Sequence, residues 1–284
     1  MKKILILGCE GQVGWELQRT LACQGALTTL DYPKVDFTNI DQLRTAIRAI
    51  HADIIVNAAA YTAVDQAEAE PDKAMAINAT APALLAEEAR RSGALLVHYS
   101  TDYVYDGNGT MPYTESSPKA PLNTYGRSKL AGDEAIQAID CRHLILRTSW
   151  VYGLRGKNFL RTMLRLAEER DELRVVNDQI GAPTWSRMIA EASAALLASK
   201  AEPGGLFHLT CTGETSWYGF TEALLELTRA QRSRTPELIG IPTAEYPLPA
   251  VRPHNSRLSC DKLQRETGLL LPHWRNALAL CLGQ

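Results

Sequence analysis

The stretch Lys2-Lys3-Ile4-Leu5-Ile6-Leu7-Gly8-Cys9-Glu10-Gly11-Gln12-Val13-Gly14 decides the fold. A four-residue apolar run stops at a glycine, and a helical stretch from Trp15 to Cys23 follows. Strand, glycine turn and helix in that order open a dinucleotide-binding unit. Glycines admit a pyrophosphate close to the backbone, and the helix start offers free N–H groups with partial positive charge. The spacing is G-x-x-G-x-x-G, with Gly8, Gly11 and Gly14. Glycine turns after strands are common, so the position directly behind the first strand carries the weight. The same run is too short for a leader and turns polar at Glu10.

Working outward, a second strand from Ala26 to Leu30 ends at Asp31, 17 positions after Gly14. An acid there accepts the ribose hydroxyls of NAD and repels a 2′-phosphate, which leans toward NADH, although Lys34 is near enough to receive a phosphate. A strand-end aspartate shaping a turn is the plain alternative. Asp36-Phe37 begins the next loop, and Asn39 or Asp41 is placed to cap a helix over 42–50. Asp53 to Asn57 reads as a third strand, followed by Ala58-Ala59-Ala60-Tyr61-Thr62. Small residues at a strand's carboxyl end let a flat cofactor lie on the backbone, but alanines also simply pack a helix. One helix is predicted from Pro71 to Arg91, with Asn78 on its apolar face. A fourth strand, Ala94 to Tyr99, delivers Ser100, Thr101 and Asp102 to the same edge.

After a Gly/Pro/Ser-rich loop, Tyr125 and Lys129 stand four residues apart, on one face of a helix running from Tyr125. An ammonium favours phenolate, so the pair makes a tyrosine usable as an acid or base near neutrality. A hydroxyl from Thr101 or Ser100 aimed at the same carbonyl oxygen would complete a proton-donating oxyanion site. An ordinary surface Tyr and Lys share that spacing. Further on, Leu144 to Arg147 reads as a strand, 158–169 as a helix, Arg174 to Asn177 as a short apolar piece, 188–198 as a helix and 205–210 as a late strand. From Gly213 the alternation fails, and the proline-rich stretch from Pro236 to Pro253 reads as loop and edge. This divides the chain into a dinucleotide domain, 1–150 plus about 174–212, and a smaller lobe, about 151–173 plus 213–284.

Composition excludes several classes. A net charge of −2 without an extended basic cluster argues against nucleic acid, and no apolar run approaches the ~20 residues of a membrane span. Six scattered cysteines without a C-x-x-C fit reduced thiols in the cytoplasm better than disulfides or zinc.

Taken together, these stretches resemble the extended short-chain dehydrogenase/reductase family. The resemblance rests on Gly11-Gln12-Val13-Gly14-Trp15-Glu16-Leu17, Asn57-Ala58-Ala59-Ala60-Tyr61-Thr62-Ala63-Val64-Asp65 and Ser100-Thr101-Asp102-Tyr103-Val104-Tyr105. It extends through Arg147-Thr148-Ser149-Trp150-Val151-Tyr152, the segment 177–184 and Arg252-Pro253-His254-Asn255-Ser256-Arg257-Leu258. It implies an α/β fold with a doubly wound parallel sheet and a small lobe closing over a nucleotide sugar. The branch it resembles reduces the 4-keto group of dTDP-4-dehydro-L-rhamnose with NADPH or NADH, supplying dTDP-L-rhamnose to cell-surface polysaccharide. By that resemblance Tyr125 donates the proton, Lys129 lowers its pKa and holds the nicotinamide ribose, and Thr101 orients the oxygen. Thr101, Asp102 and Trp150 would touch the sugar. Gly8, Gly11, Gln12, Val13, Gly14, Asp31, Asp36, Phe37, Ala60, Tyr61, Thr62 and Tyr99 would line the cofactor with Tyr125 and Lys129.

Arg252 and Arg257 have the chemistry to receive the diphosphate, with surface charge as the alternative. Trp150 serves equally as a core residue. Some family members are homodimers holding magnesium through glutamates, one of which Glu16 matches. Another such glutamate is replaced here by Arg187, so no magnesium is expected there, and a dimer would form by another route. Other nucleotide-sugar reductases and epimerases share the scaffold, as do non-catalytic NAD(P)-binding subunits. A dehydratase would want a second carboxylate where Tyr103 follows Asp102.

Overall fold

A computed structural model describes residues 1–199 and 204–284; residues 200–203, inside the segment assigned to the dinucleotide domain, lie outside the described residues. Six strands form the central sheet: β1 (Lys2–Leu7), β2 (Gly25–Leu30), β3 (Ile54–Asn57), β4 (Leu95–Thr101), β5 (His143–Thr148) and β6 (Gly205–His208). All neighbours are parallel, in the order β6-β5-β4-β3-β1-β2. The inner strands β1, β3, β4 and β5 are largely apolar and buried because both faces are covered, whereas the edge strand β2 (Gly25–Leu30) has no buried residue. Ile4, Ile6, Val56, Val97, Leu146 and Phe207 point to one face, where Leu17 of the helix Gln12–Thr20 and Ile189 of Ser186–Ala198 meet them. Leu5, Leu7, Ile55, Leu96 and Ile145 point to the other, against Leu43 of Ile40–Ile50 and Leu85 of Ala81–Ser92. This is the doubly wound sheet that the glycine turn predicted. Its winding reverses between β1 and β3, so a crevice opens beyond their carboxyl ends.

Two boundaries differ from expectation in ways that matter for the site. β4 continues through Ser100 and Thr101, which stay in register with Arg147 and Thr148 of β5, so the sheet itself fixes both hydroxyls. The helix expected over 71–91 is interrupted: Pro71–Met75 leads into a π-helical Ala76–Thr80 before Ala81–Ser92. Pro82 has no N–H to offer the Asn78 carbonyl four residues back. Ala81 N–H reaches instead to Ala76 O, one residue further than in an α-helix. The freed Asn78 carbonyl presses on Gly132, where an added Cβ would lie 2.1 Å from it.

Further elements stand outside the central sheet. Arg174 to Val176 lie in a strand Glu172–Val176 that pairs with Glu237–Ile241 in a separate parallel ribbon, and Asn177 follows it. Pro236 and Pro242 flank this edge strand without interrupting it. Phe220, Leu224 and Trp274 of these elements belong to the same buried cluster as Ile4 and Leu146. They therefore share one apolar core with the sheet.

Candidate functional site

The glycine turn is shaped by contact. Gly8 takes φ +75°, and a Cβ on it would lie 2.4 Å from Ala59 N; at Gly14 a Cβ would lie 2.1 Å from Gly8 O. The helix Gln12–Thr20 starts after Gly11, and its first amides, those of Gln12 and Val13 among them, have no side-chain cap. Asp31 braces this turn: its Oδ2 accepts from Glu10 N at 2.8 Å and its Oδ1 from Tyr32 N at 2.8 Å. Gln12 ties the turn to Asn158, accepting from its Nδ2 at 2.8 Å, while Val13 packs on the core.

Other residues predicted to line the cofactor are placed unequally. Asp36 spends a carboxylate oxygen on Thr38 N and Oγ1, at 2.8 and 2.7 Å, which holds its pKa below the usual range. Phe37 is buried in the core. Ala60 and Tyr61 are half-buried behind β3, and Thr62 is exposed. Asn78 clamps Tyr61 from both sides, accepting from its N–H at 2.8 Å and donating to its carbonyl at 3.0 Å. The Tyr61 hydroxyl donates to Glu70 at 2.5 Å; burial first and then that carboxylate push its pKa up to about 12. Tyr99 turns its ring to the opposite face, bonded to Ser193 at 2.7 Å, and gives the site only its carbonyl.

Asn123 caps the helix Thr124–Ala138, accepting from Gly126 N at 2.8 Å, and so fixes where Tyr125 starts. The Tyr125 ring packs edge-on against Tyr103, with centroids 5.5 Å apart. Burial raises the phenol's pKa, opposed chiefly by a hydrogen bond from the Thr101 side. The expectation that the phenol is lowered does not hold in this structure. Lys129, only 1% exposed, donates instead to Tyr99 O at 2.7 Å and faces His98 Nε2 at 3.1 Å. Burial also lowers the ammonium, to about 8, with Asp133 opposing.

Strand alternation resolves the choice of hydroxyl. Ser100 turns inward and donates to Asp133 Oδ2 at 2.9 Å. Thr101 faces Tyr125, donating to Asp102 Oδ1 at 3.0 Å and accepting from Tyr103 N at 3.2 Å. Asp102 is 3% exposed, with Oδ2 unpartnered; burial pushes its carboxyl up to about 6, opposed first by Ser256.

Behind Lys129 runs a buried polar chain that the sequence reading missed. Asn57 Nδ2 faces His98 Nδ1 at 3.0 Å, His98 faces Lys129, and Arg147 Nε donates to Asp133 Oδ2 at 2.9 Å. Arg147 Nη1 also donates to Tyr105, whose hydroxyl lies 2.7 Å from His208 Nε2. One signal was available: Lys129 and Asp133 are four apart on the same helix.

Trp150 leaves β5 with φ +49° and stacks on Trp217 with centroids 3.6 Å apart, and a Cβ on Gly181 would lie 2.6 Å from its ring. Arg252 pairs with Asp65 at 2.6 Å and Arg257 with Glu214 at 2.9 Å. Arg187 donates to Glu16 at 3.2 Å and to Glu191 at 2.7 Å, so a fixed cation already sits on Glu16. Those residues do not fit a divalent ion.

A parallel sheet wound on both faces, a glycine turn at its reversal point, and Thr101, Tyr125 and Lys129 at one edge define a dinucleotide-binding protein of the reductase type. The chain belongs to the family described as "RmlD substrate binding domain", which it matches over residues 1–284. It is 48% identical over 292 residues to the dTDP-4-dehydrorhamnose reductase of Escherichia coli (strain K12), covering 99% of this chain and 97% of that protein. It is 46% identical to the enzyme of the same name from Burkholderia thailandensis, covering 99% and 98%. The crystal structure of the Bacillus anthracis dTDP-4-dehydrorhamnose reductase in complex with NADP superposes with a TM-score of 0.93 at 35% identity, covering 99% and 98%.

Proposed function

We propose that this chain reduces the 4-keto group of dTDP-4-dehydro-L-rhamnose with NADPH or NADH, giving dTDP-L-rhamnose for cell-surface polysaccharide. One observation carries the reading: Tyr125 and Lys129 stand one helical turn apart on Thr124–Ala138, with the Thr101 hydroxyl on the Tyr125 side, in a chain 48% identical to such a reductase over nearly its whole length. The turn fits a dinucleotide, because its glycines leave space that Cβ atoms would fill and its amides lack a side-chain cap. Bound there, a reduced nicotinamide would supply the hydride.

The chain's own residues then manage the proton. Tyr125, held protonated by burial, donates its phenolic proton to the substrate oxygen as that oxygen gains charge. The Thr101 hydroxyl bonds the same oxygen, and the Lys129 ammonium stabilises the phenolate left behind. Asp102 and Trp150 face the sugar. Arg252 and Arg257 are the proposed diphosphate donors, each exchanging a carboxylate, Asp65 or Glu214, for a phosphate. The division into a dinucleotide domain (1–150 plus about 174–212) and a sugar lobe belongs to the same reading. So do a cytoplasmic location and a homodimer formed without magnesium. No described helix is long and apolar enough to cross a membrane.

The test is the loss of nicotinamide absorbance with dTDP-4-dehydro-L-rhamnose and either cofactor. Wild type turns over, and Tyr125→Phe falls by roughly 10²–10⁴-fold while still binding cofactor. No oxidation by wild type with either cofactor would sink the proposal.

A further inference from the structure

We infer that His98, oriented by Asn57, is a positioning residue that sets the proton occupancy of Lys129. The inference rests on the function proposed above, and its geometry lies entirely within the buried chain behind the site. Asn57 Oδ1 accepts from Ala59 N at 3.2 Å, which leaves Nδ2 as the atom 3.0 Å from His98 Nδ1. An amide nitrogen only donates, so Nδ1 is the acceptor and a neutral ring carries its hydrogen on Nε2. That N–H points at Lys129 Nζ, 3.1 Å away. An ammonium has no lone pair, so this contact is a hydrogen bond only when Lys129 is an amine.

A carboxylate stands close by. Asp133 Oδ1 lies 3.9 Å from His98 Nε2 and has no hydrogen-bond partner. At 3.9 Å Asp133 is beyond hydrogen-bond distance, so the His98 N–H is satisfied at Nζ only while Lys129 is an amine. The charged and titratable groups around Lys129 are few. Tyr125 and Asp133 lie on its own helix, His98 on β4, and Arg147 on β5 is already paired with Asp133. Burial independently pulls Lys129 toward the amine, while Asp133 pulls it back. With His98 ready to bond the amine, the Lys129 ammonium can give its proton to the phenolate that Tyr125 becomes, restoring the phenol. The amine then regains a proton from solvent water once the crevice opens. A purely structural histidine would do nothing to that exchange.

The experiment is the pH profile of kcat and KM for wild type, His98→Gln and Asn57→Asp, with a tautomer measurement by ¹⁵N-histidine NMR on the wild-type protein. A glutamine can turn its oxygen to the ammonium. An aspartate at position 57 draws the ring proton to Nδ1 and leaves Nε2 as an acceptor. Either change favours the ammonium, so the alkaline limb of kcat moves up by about one pH unit or more, with KM little changed. The His98 signal, assigned by its loss in His98→Gln, should show the Nε2–H tautomer. A kcat lowered equally at every pH, or an Nδ1–H tautomer, overturns the inference. Should wild type fail to turn over, the proposed function falls, and the tautomer decides the inference alone.

Discussion

Two buried carboxylates flank the sheet and are treated in opposite ways. Glu88, 1% exposed, is saturated: Arg44, Arg48 and Arg91 reach it at 2.9, 2.8 and 2.7 Å from half-exposed shafts, and its pKa is held down to about 2, first by Arg48. It clamps the helix Ile40–Ile50 to Ala81–Ser92. Asp133 has no exposure and takes both its donors, Arg147 and Ser100, on one oxygen. Its other oxygen is left beside His98, and Arg147 Nη2 is also unpartnered. Each unfilled buried group costs about 1–3 kcal/mol. A clamp is finished when every lone pair is used, whereas a corner that handles protons keeps one open.

The sharpest test removes each charge in turn. Asp133→Asn strands the fully buried Arg147 and should cost about 3–5 kcal/mol in urea unfolding. In the surviving folded enzyme the alkaline limb of kcat should move down, because Asp133 supports the Lys129 ammonium. A limb that stays put would break the contrast. Glu88→Gln should cost less, roughly 2–3 kcal/mol at pH 7, and leave kcat/KM within about twofold. Because the folded pKa lies below the ordinary 4.5, this stability is present above pH 4.5 and is lost as pH falls toward about 2. The gap between wild type and variant, measured by unfolding at each pH, should close across that window. The smallest effects come from single donors. Ser100→Ala should cost about 1 kcal/mol and slow turnover a few-fold, whereas Arg91→Ala should cost under ~1 kcal/mol with turnover unchanged.

Most of the fold was legible because the parallel strands announce themselves as apolar runs, and Gly8 to Gly14 could serve few other purposes after the first of them. Tyr125, Lys129 and Thr101 were legible as local patterns at one sheet edge. Register was not. Asn57 stands beside His98, and Ser100 beside Arg147, only because β3, β4 and β5 pair as they do. No local pattern shows that four residues on three strands join the polar chain behind one lysine. The tyrosine's pKa was misjudged for a related reason: spacing suggests a cation nearby but says nothing of burial, which in this structure outweighs it. The π-helical turn escaped because its cause is split between Pro82, near in sequence, and Gly132, which is distant.

That turn gives the chain a residue too many, by the count of an ordinary helix. Deleting one residue from Ala76–Thr80 would remove the surplus of the wider turn at nearly the same length. The part upstream would then be rotated by about 100°. Asn78 could no longer hold Tyr61 and Ser128 at once, two bonds that join the loop behind β3 to the helix bearing Lys129. A shortened chain would keep its shape and lose its alignment, so the surplus residue acts as a spacer between two halves of one crevice.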